Sequence, residues 1–265
     1  MDNMTFDDVK ARLNDADFCV VGIGELFAYD WNLINSDERY IELSEAIDRD
    51  TSLSWLLPFV QKVAMDNNPD IRLKDAYENL VKSLENVDAY YITTTIDDYI
   101  YDSGIAKDRI VTPCGGFRKL QCEKICNEEL INLPFALLQY VQKLYNKTIS
   151  LDDIRDKYPE CPECGSNLIF NQLGAQNYNE QGYLPEWNLY QQWLQKTMNK
   201  KIVMLELGAG LGLMSVFRSP FERLATYNLK STLFRVHPTL YMSTPEISDR
   251  CVSIAQNPID WVLND

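Results

Sequence analysis

Unbroken apolar runs and helically spaced apolar stretches take turns along this chain, which predicts strands buried between helices. Residues 6–13 carry the spacing of a short amphipathic helix. Phe18, Cys19, Val20 and Val21 then form a wholly apolar run that ends at Gly22-Ile23-Gly24. Such a run closed by glycine predicts a buried parallel strand and a tight turn. Residues 37–85 are predicted to be mostly helical, with apolar spacing clearest over 53–63 and 76–84. Residues 89–95 are aromatic and β-branched and predict a second strand. A short helix over 96–104, closed by Gly104, and a short strand at 109–111 follow.

From 114 to 165 the texture changes to glycines, paired cysteines and one helical stretch at 133–144, which predicts a small module inserted into the chain. Helical spacing resumes at 189–198. Residues 201–207 then form an apolar run into Gly208-Ala209-Gly210, a second strand followed by a glycine turn. A strand at 232–236 and helices at 245–255 and 257–263 complete the pattern. Alternating strands and helices predict an α/β fold with a doubly wound parallel sheet, which binds ligands at the carboxyl ends of its strands. The expected division is a Rossmann-like domain of residues 1–116 and 166–265, including the helical segment 37–85, and a small metal-binding module of residues 117–165.

Composition narrows the function. The 265 residues are 46 % hydrophobic, ordinary for a chain with a sizeable core. No apolar run approaches the ~20 residues that span a bilayer, and the acidic start lacks the basic-then-apolar order of a signal peptide. A net charge of −14 repels phosphate backbones, so nucleic acid is not an expected partner, and without a bilayer-length apolar run neither is membrane. Seven cysteines, an odd number with two close pairs, suit a reducing cytoplasm better than a disulfide framework.

Those pairs are Cys122-x3-Cys126 and Cys161-x2-Cys164, the second followed by Gly165. Four thiolates suit a tetrahedral Zn²⁺ closed to water, which would hold a fold together rather than bind substrate. Cys19 and Cys251 read as core residues.

A nucleotide-binding α/β chain interrupted by a four-cysteine zinc ribbon, with one glycine turn early and another late, resembles the sirtuins. The first strand and turn of that family fall on Val20-Val21-Gly22-Ile23-Gly24. Its Ile-Thr-Gln-Asn-Ile-Asp motif falls on Ile92-Thr93-Thr94-Thr95-Ile96-Asp97, and its His-Gly segment on Cys114-Gly115-Gly116-Phe117. Phe117-Arg118-Lys119-Leu120-Gln121-Cys122 matches the run into the first zinc cysteine. The later stretches Leu205 to Gly210, Arg218-Ser219-Pro220-Phe221-Glu222-Arg223 and Leu233-Phe234-Arg235-Val236 look most like the macrodomain-linked sirtuins of microbes.

That resemblance implies NAD as cofactor, cleaved between nicotinamide and ribose, with a protein acceptor for ADP-ribose. It assigns Gly22, Gly24, Gly208, Gly210, Thr95, Asp97, Arg235 and His237 to the cofactor, and Asp97, Thr95 and Cys114 to catalysis. Asp97 stands where the family contacts the nicotinamide carboxamide, and Thr95 replaces the family's asparagine. Cys114 replaces the histidine base, and a thiol is a poor base at neutral pH. Glu25 is awkward beside a phosphate, and no Phe-Arg segment follows the first turn. Loss of the histidine disfavours deacylation and leaves two main expectations, with NAD hydrolysis, by a water that Asp97 or Glu25 would seat, as a third. One is NAD-dependent protein ADP-ribosyl transfer. The other is a catalytically degenerate module that binds NAD or ADP-ribose as a sensor or an interaction domain.

Overall fold

The computed structural model describes residues 4–264. In chain order it runs α1 (Phe6–Asn14), β1 (Phe18–Ile23), α2 (Asn32–Asn35), α3 (Glu38–Arg49), α4 (Leu57–Asn67), α5 (Ile71–Ser83), β2 (Asp88–Thr93), α6 (Tyr99–Asp102), β3 (Ile110–Val111) and β4 (Gly115–Cys122). It continues through β5 (Ile131–Asn132), α7 (Phe135–Tyr145), α8 (Leu151–Ile154), β6 (Leu168–Gln172), α9 (Leu184–Lys196), β7 (Ile202–Leu207), α10 (Arg218–Tyr227), β8 (Ser231–Val236), β9 (Cys251–Ile254) and α11 (Pro258–Leu263). Among the described residues no helix is long and apolar enough to cross a membrane.

The chain divides into two compact units. The first takes the chain up to Ala28, then Ile71–Cys114 and everything from Tyr183 on. The second takes Tyr29–Asp70 and Gly115–Gly182. The helical stretch expected to stay with the nucleotide-binding domain is therefore shared out. Its first part, α3 and α4, belongs to the cysteine-bearing unit, and α5 to the other.

The first unit is built on a parallel six-stranded sheet in the order β3-β2-β1-β7-β8-β9. Successive side chains of a strand point to opposite faces, and here both sets are buried. Val20, Ile92, Met204 and Leu233 pack with Tyr190 and Trp193 of α9 and Phe221 of α10. The intervening Cys19, Val21, Ile23, Leu205 and Leu207 are equally enclosed. Wholly apolar runs such as Phe18–Ile23 follow from that double coverage. The helix α1 starts on a capping box, Thr5 accepting the Asp8 N–H and Asp8 accepting the Thr5 N–H. Phe6 meets Trp261 of α11 edge-on, with ring centroids 5.1 Å apart, and the Trp261 indole donates to the Met4 carbonyl.

One expectation fails near the end. Residues 245–255, read as a helix, form a short 3-10 turn (Pro245–Ile247) and then β9. The outer edge of β8 presents unpaired N–H and C=O groups. Cys251, Val252, Ser253 and Ile254 satisfy them in register with Leu233 to Val236. Pairing with that edge overrides the local helical spacing.

The second unit carries a three-stranded sheet, β5-β4-β6, antiparallel throughout, which periodicity did not reveal. Phe170 of β6 joins this sheet to the helices, lying 4.7 Å from Phe59 and 5.1 Å from Phe117 by ring centroid. Tyr145 of α7 donates a 2.6 Å hydrogen bond to Asp37, the residue that caps α3. Gly115 opens β4 at φ +70°, and a Cβ there would strike the Asn171 carbonyl oxygen.

Candidate functional site

Strand order reverses between β1 and β7, so their carboxyl ends form the switch point at which open parallel sheets take ligands. Ile23 is in register with Leu207, and both glycine turns leave the sheet at one level. They are packed on each other. The Gly24 N–H donates to the Leu207 carbonyl at 2.8 Å, and the Leu26 N–H to the Gly208 carbonyl at 3.3 Å. A Cβ on Gly24 would collide with the Gly208 carbonyl oxygen, and one on Gly22 with the Phe217 ring. Gly208 holds φ +68° beside Leu26. Close approach of backbone at Gly24, of the Phe217 ring at Gly22 and of Leu26 at Gly208 requires these glycines, whatever else they do.

Glu25 lies at the centre of the arrangement. Its Oε2 accepts the Gly210 N–H at 3.1 Å, and a Cβ on Gly210 would overlap its Oε1. A carboxylate of the chain itself thus sits on an amide of the second glycine turn.

At the end of β2 the Thr95 N–H donates to the Thr93 hydroxyl at 3.0 Å, and the two hydroxyls are 2.9 Å apart. The Thr95 hydroxyl reaches Asp97 Oδ1 at 3.5 Å, and Asp97 accepts the Tyr99 N–H at 3.1 Å. Asp98 takes a left-handed φ of 65° to enter α6. Thr95 and Asp97 are both buried. Beside them lies Tyr77, which sequence reasoning treated only as helical spacing. Its enclosed hydroxyl has no aligned hydrogen-bond partner, and burial together with the Asp97 charge pushes it well above the ordinary phenol range.

Arg235 sits inside the core. Its guanidinium contacts Glu206 at 2.8 and 2.9 Å, Glu222 at 2.9 Å and the Met242 carbonyl at 2.9 Å. Arg218 adds a 2.8 Å contact to Glu206 and donates to the Leu240 carbonyl at 3.0 Å. Burial raises the Glu206 carboxyl above its ordinary value, and Arg235 and Arg218, which face it, oppose that shift. His237 is also engaged by the fold. Its Nδ1 accepts the N–H groups of Thr239 and Leu240 at 3.0 and 2.8 Å, which fixes the Nε2–H tautomer. Burial, then Arg218, lowers its pKa. Cys114 is 3 % exposed, and burial raises its thiol to about 11. It carries its proton at neutral pH and offers no base there.

In the second unit Cys122, Cys126, Cys161 and Cys164 converge, with all four sulfurs within 4.8 Å of one another. Cys122 and Cys164 are 3.6 Å apart, and Cys126 and Cys161 3.5 Å. Two zinc–thiolate bonds at the tetrahedral angle would put their sulfurs about 3.8 Å apart, so the cluster can hold such an ion. Gly165, at φ +67°, donates to the Cys161 carbonyl at 2.8 Å and closes the second knuckle. Ile125, at φ 45°, turns the first.

The parallel sheet, its switch point and the four-cysteine clip define a sirtuin-fold protein. Two solved Sir2 structures match over 98 % of this chain and 97 % of theirs. One is Sir2 bound to acetylated peptide (TM-score 0.57, 15 % identity), the other Sir2 with p53 peptide and NAD+ (TM-score 0.56, 14 % identity). Among curated proteins, a Protein ADP-ribosyltransferase of Staphylococcus aureus is 21 % identical over 94 % of this chain and 83 % of its own length. A Probable bifunctional ADP-ribose hydrolase/ADP-ribosyltransferase of Fusarium oxysporum f. sp. cubense is 27 % identical over 157 residues. That match takes 56 % of this chain and about a quarter (26 %) of the fungal protein. No protein-family model matches the chain.

Proposed function

We propose that this protein is a cytoplasmic, NAD-dependent protein ADP-ribosyltransferase of sirtuin fold, resembling the macrodomain-linked microbial branch. The observation that carries the reading is Cys114. A buried, protonated thiol stands where the resemblance puts the deacylation base, while both curated relatives carry ADP-ribosyltransferase in their names. In the transfer, the bond between nicotinamide and ribose C1′ breaks. Nicotinamide leaves, and a nucleophilic side chain of the acceptor bonds to C1′ and gives up its proton. Asp97, oriented by the Thr95 hydroxyl and the Tyr99 N–H, would hold the nicotinamide carboxamide. Gly22, Gly24, Gly208 and Gly210 would line the dinucleotide path. Zn²⁺ on the four cysteines would be structural. Nucleic acid and membrane would not be partners.

A second reading, a degenerate module that binds NAD or ADP-ribose without turnover, rests on the carboxylate at Gly210 and the engagement of Arg235. Incubation with NAD and a lysate decides between them. Transfer predicts release of nicotinamide and labelling of a protein, both lost in Asp97→Ala. Binding of NAD with no labelled protein and no nicotinamide supports the second reading.

A further inference from the structure

We infer that Glu25 is a specificity residue, an internal anion that occupies the seat a ligand phosphate would take on the second glycine turn. The inference rests on the proposal that this unit binds NAD or ADP-ribose.

Three features carry it. First, the Glu25 carboxylate is hydrogen-bonded to the Gly210 N–H at 3.1 Å and fills the notch left by the missing Cβ of Gly210. In glycine turns that bind nucleotides, the free backbone N–H and the missing side chain are what receive a phosphate. Second, neither strand runs straight into a helix, residues 24–28 after β1 and 208–217 after β7 being turn, bend or irregular, so no helix N-terminus abuts these strand ends to compensate a phosphate. Third, the buried guanidinium groups near these strand ends, Arg218 and Arg235, are neutralised by Glu206 and Glu222. The turn therefore meets an incoming pyrophosphate with a negative charge already on its donor.

A pyrophosphate must displace this carboxylate or lie against it. Either costs binding free energy, the first by a lost hydrogen bond and the second by like-charge repulsion. A neutral nucleoside meets neither cost. Glu25 thus weakens retention of pyrophosphate ligands relative to nucleosides. In the transfer reading it would speed release of the ADP-ribosylated acceptor or of unreacted NAD.

The test is calorimetry on the full chain, wild type against Glu25→Gln and Glu25→Ala, with ADP-ribose and with adenosine. Glu25→Gln keeps an acceptor for the Gly210 N–H and removes only the charge. The expected result is about tenfold tighter ADP-ribose binding in both variants, the loss of one hydrogen-bond competitor or repelling charge, with adenosine affinity changed by less than about twofold. Wild type that fails to bind ADP-ribose while either variant binds it supports the inference equally. Wild-type binding of ADP-ribose that is unchanged or weakened in both variants overturns the inference and leaves the NAD reading standing. Absence of ADP-ribose binding in all three proteins overturns both.

Discussion

Replacing Arg235 with Met tests whether the charges beneath the second glycine turn hold the fold or await a ligand. Glu206, Glu222, Arg218 and Arg235 sum to zero charge, and the side chains of Glu206 and Arg235 are each 1 % exposed. Arg235 supplies two of the three guanidinium contacts to Glu206, at 2.8 and 2.9 Å, and Arg218 the third. Without it, one net negative charge stays buried, and the Met242 carbonyl loses its donor. Breaking a buried pair from one side costs about 3–5 kcal/mol, because the remaining charge is uncompensated. Set against a typical total of roughly 5–15 kcal/mol, that is a large loss. At about 2–4 °C per kcal/mol for a chain of this size, Tm falls by on the order of 10 °C. The assay is urea unfolding followed by tryptophan fluorescence, together with a melt, on wild type, Arg235→Met and the double variant Arg235→Met, Glu206→Gln. The double variant removes the stranded charge and should recover at least about half of the loss. A single substitution costing under about 1 kcal/mol, or a double variant no more stable than the single, would refute the account.

Two further outcomes follow from local geometry. Cys161→Ser should abolish stoichiometric metal, read by elemental analysis, and lower the melting temperature, since structural zinc contributes on the order of 10 kcal/mol in small metal-folded peptides and less beside a standing core; fully folded wild-type protein lacking metal would contradict this. His237 titrates lower in the fold than its ordinary value of 6.5, so the native state binds fewer protons than the unfolded one. Its contribution is complete above about pH 6.5 and declines as pH falls toward the depressed folded value. Melts from about pH 7.5 to about pH 5 should therefore slope more steeply for wild type than for His237→Asn, whose side-chain oxygen can accept the same two N–H groups without titrating. Equal slopes would show that the histidine does not carry the effect.

Strand positions in the parallel sheet were legible because burial on both faces leaves unbroken apolar runs, as at Val20-Val21 and Met204-Leu205. The cysteine clip was legible because metal geometry constrains spacing directly. Strand β9 was not, since it exists through the edge of β8 rather than through its own pattern. The small antiparallel sheet was hidden behind the cysteines it carries. Division of the helical segment was equally invisible, because helical spacing states that a face is buried and not against what. The ion pair of Arg235 was also partly legible. Glu206 is the one charged residue of β7 and Arg235 the one charged residue of β8, and a buried charge requires a partner. They are direct register partners on neighbouring strands. Two opposite charges at matching depth in adjacent strands are the sequence signal of an ion pair.

The glycine turns carry the same lesson further. Glycine at 22, 24, 208 and 210 was read as room for a cofactor, yet each position is already filled from within, by Phe217, by the opposing turn, by Leu26 and by Glu25. The Phe217 ring, the backbone of the opposing turn and Leu26 account for three of them. Gly210 differs, because its neighbour is a charged side chain on an exposed residue, which can move aside where backbone cannot. The switch point is therefore rigid where the turns interlock and adjustable at one place. Under the proposed reading, a ligand at this site would have to accept the charge of that carboxylate or push it from the Gly210 amide.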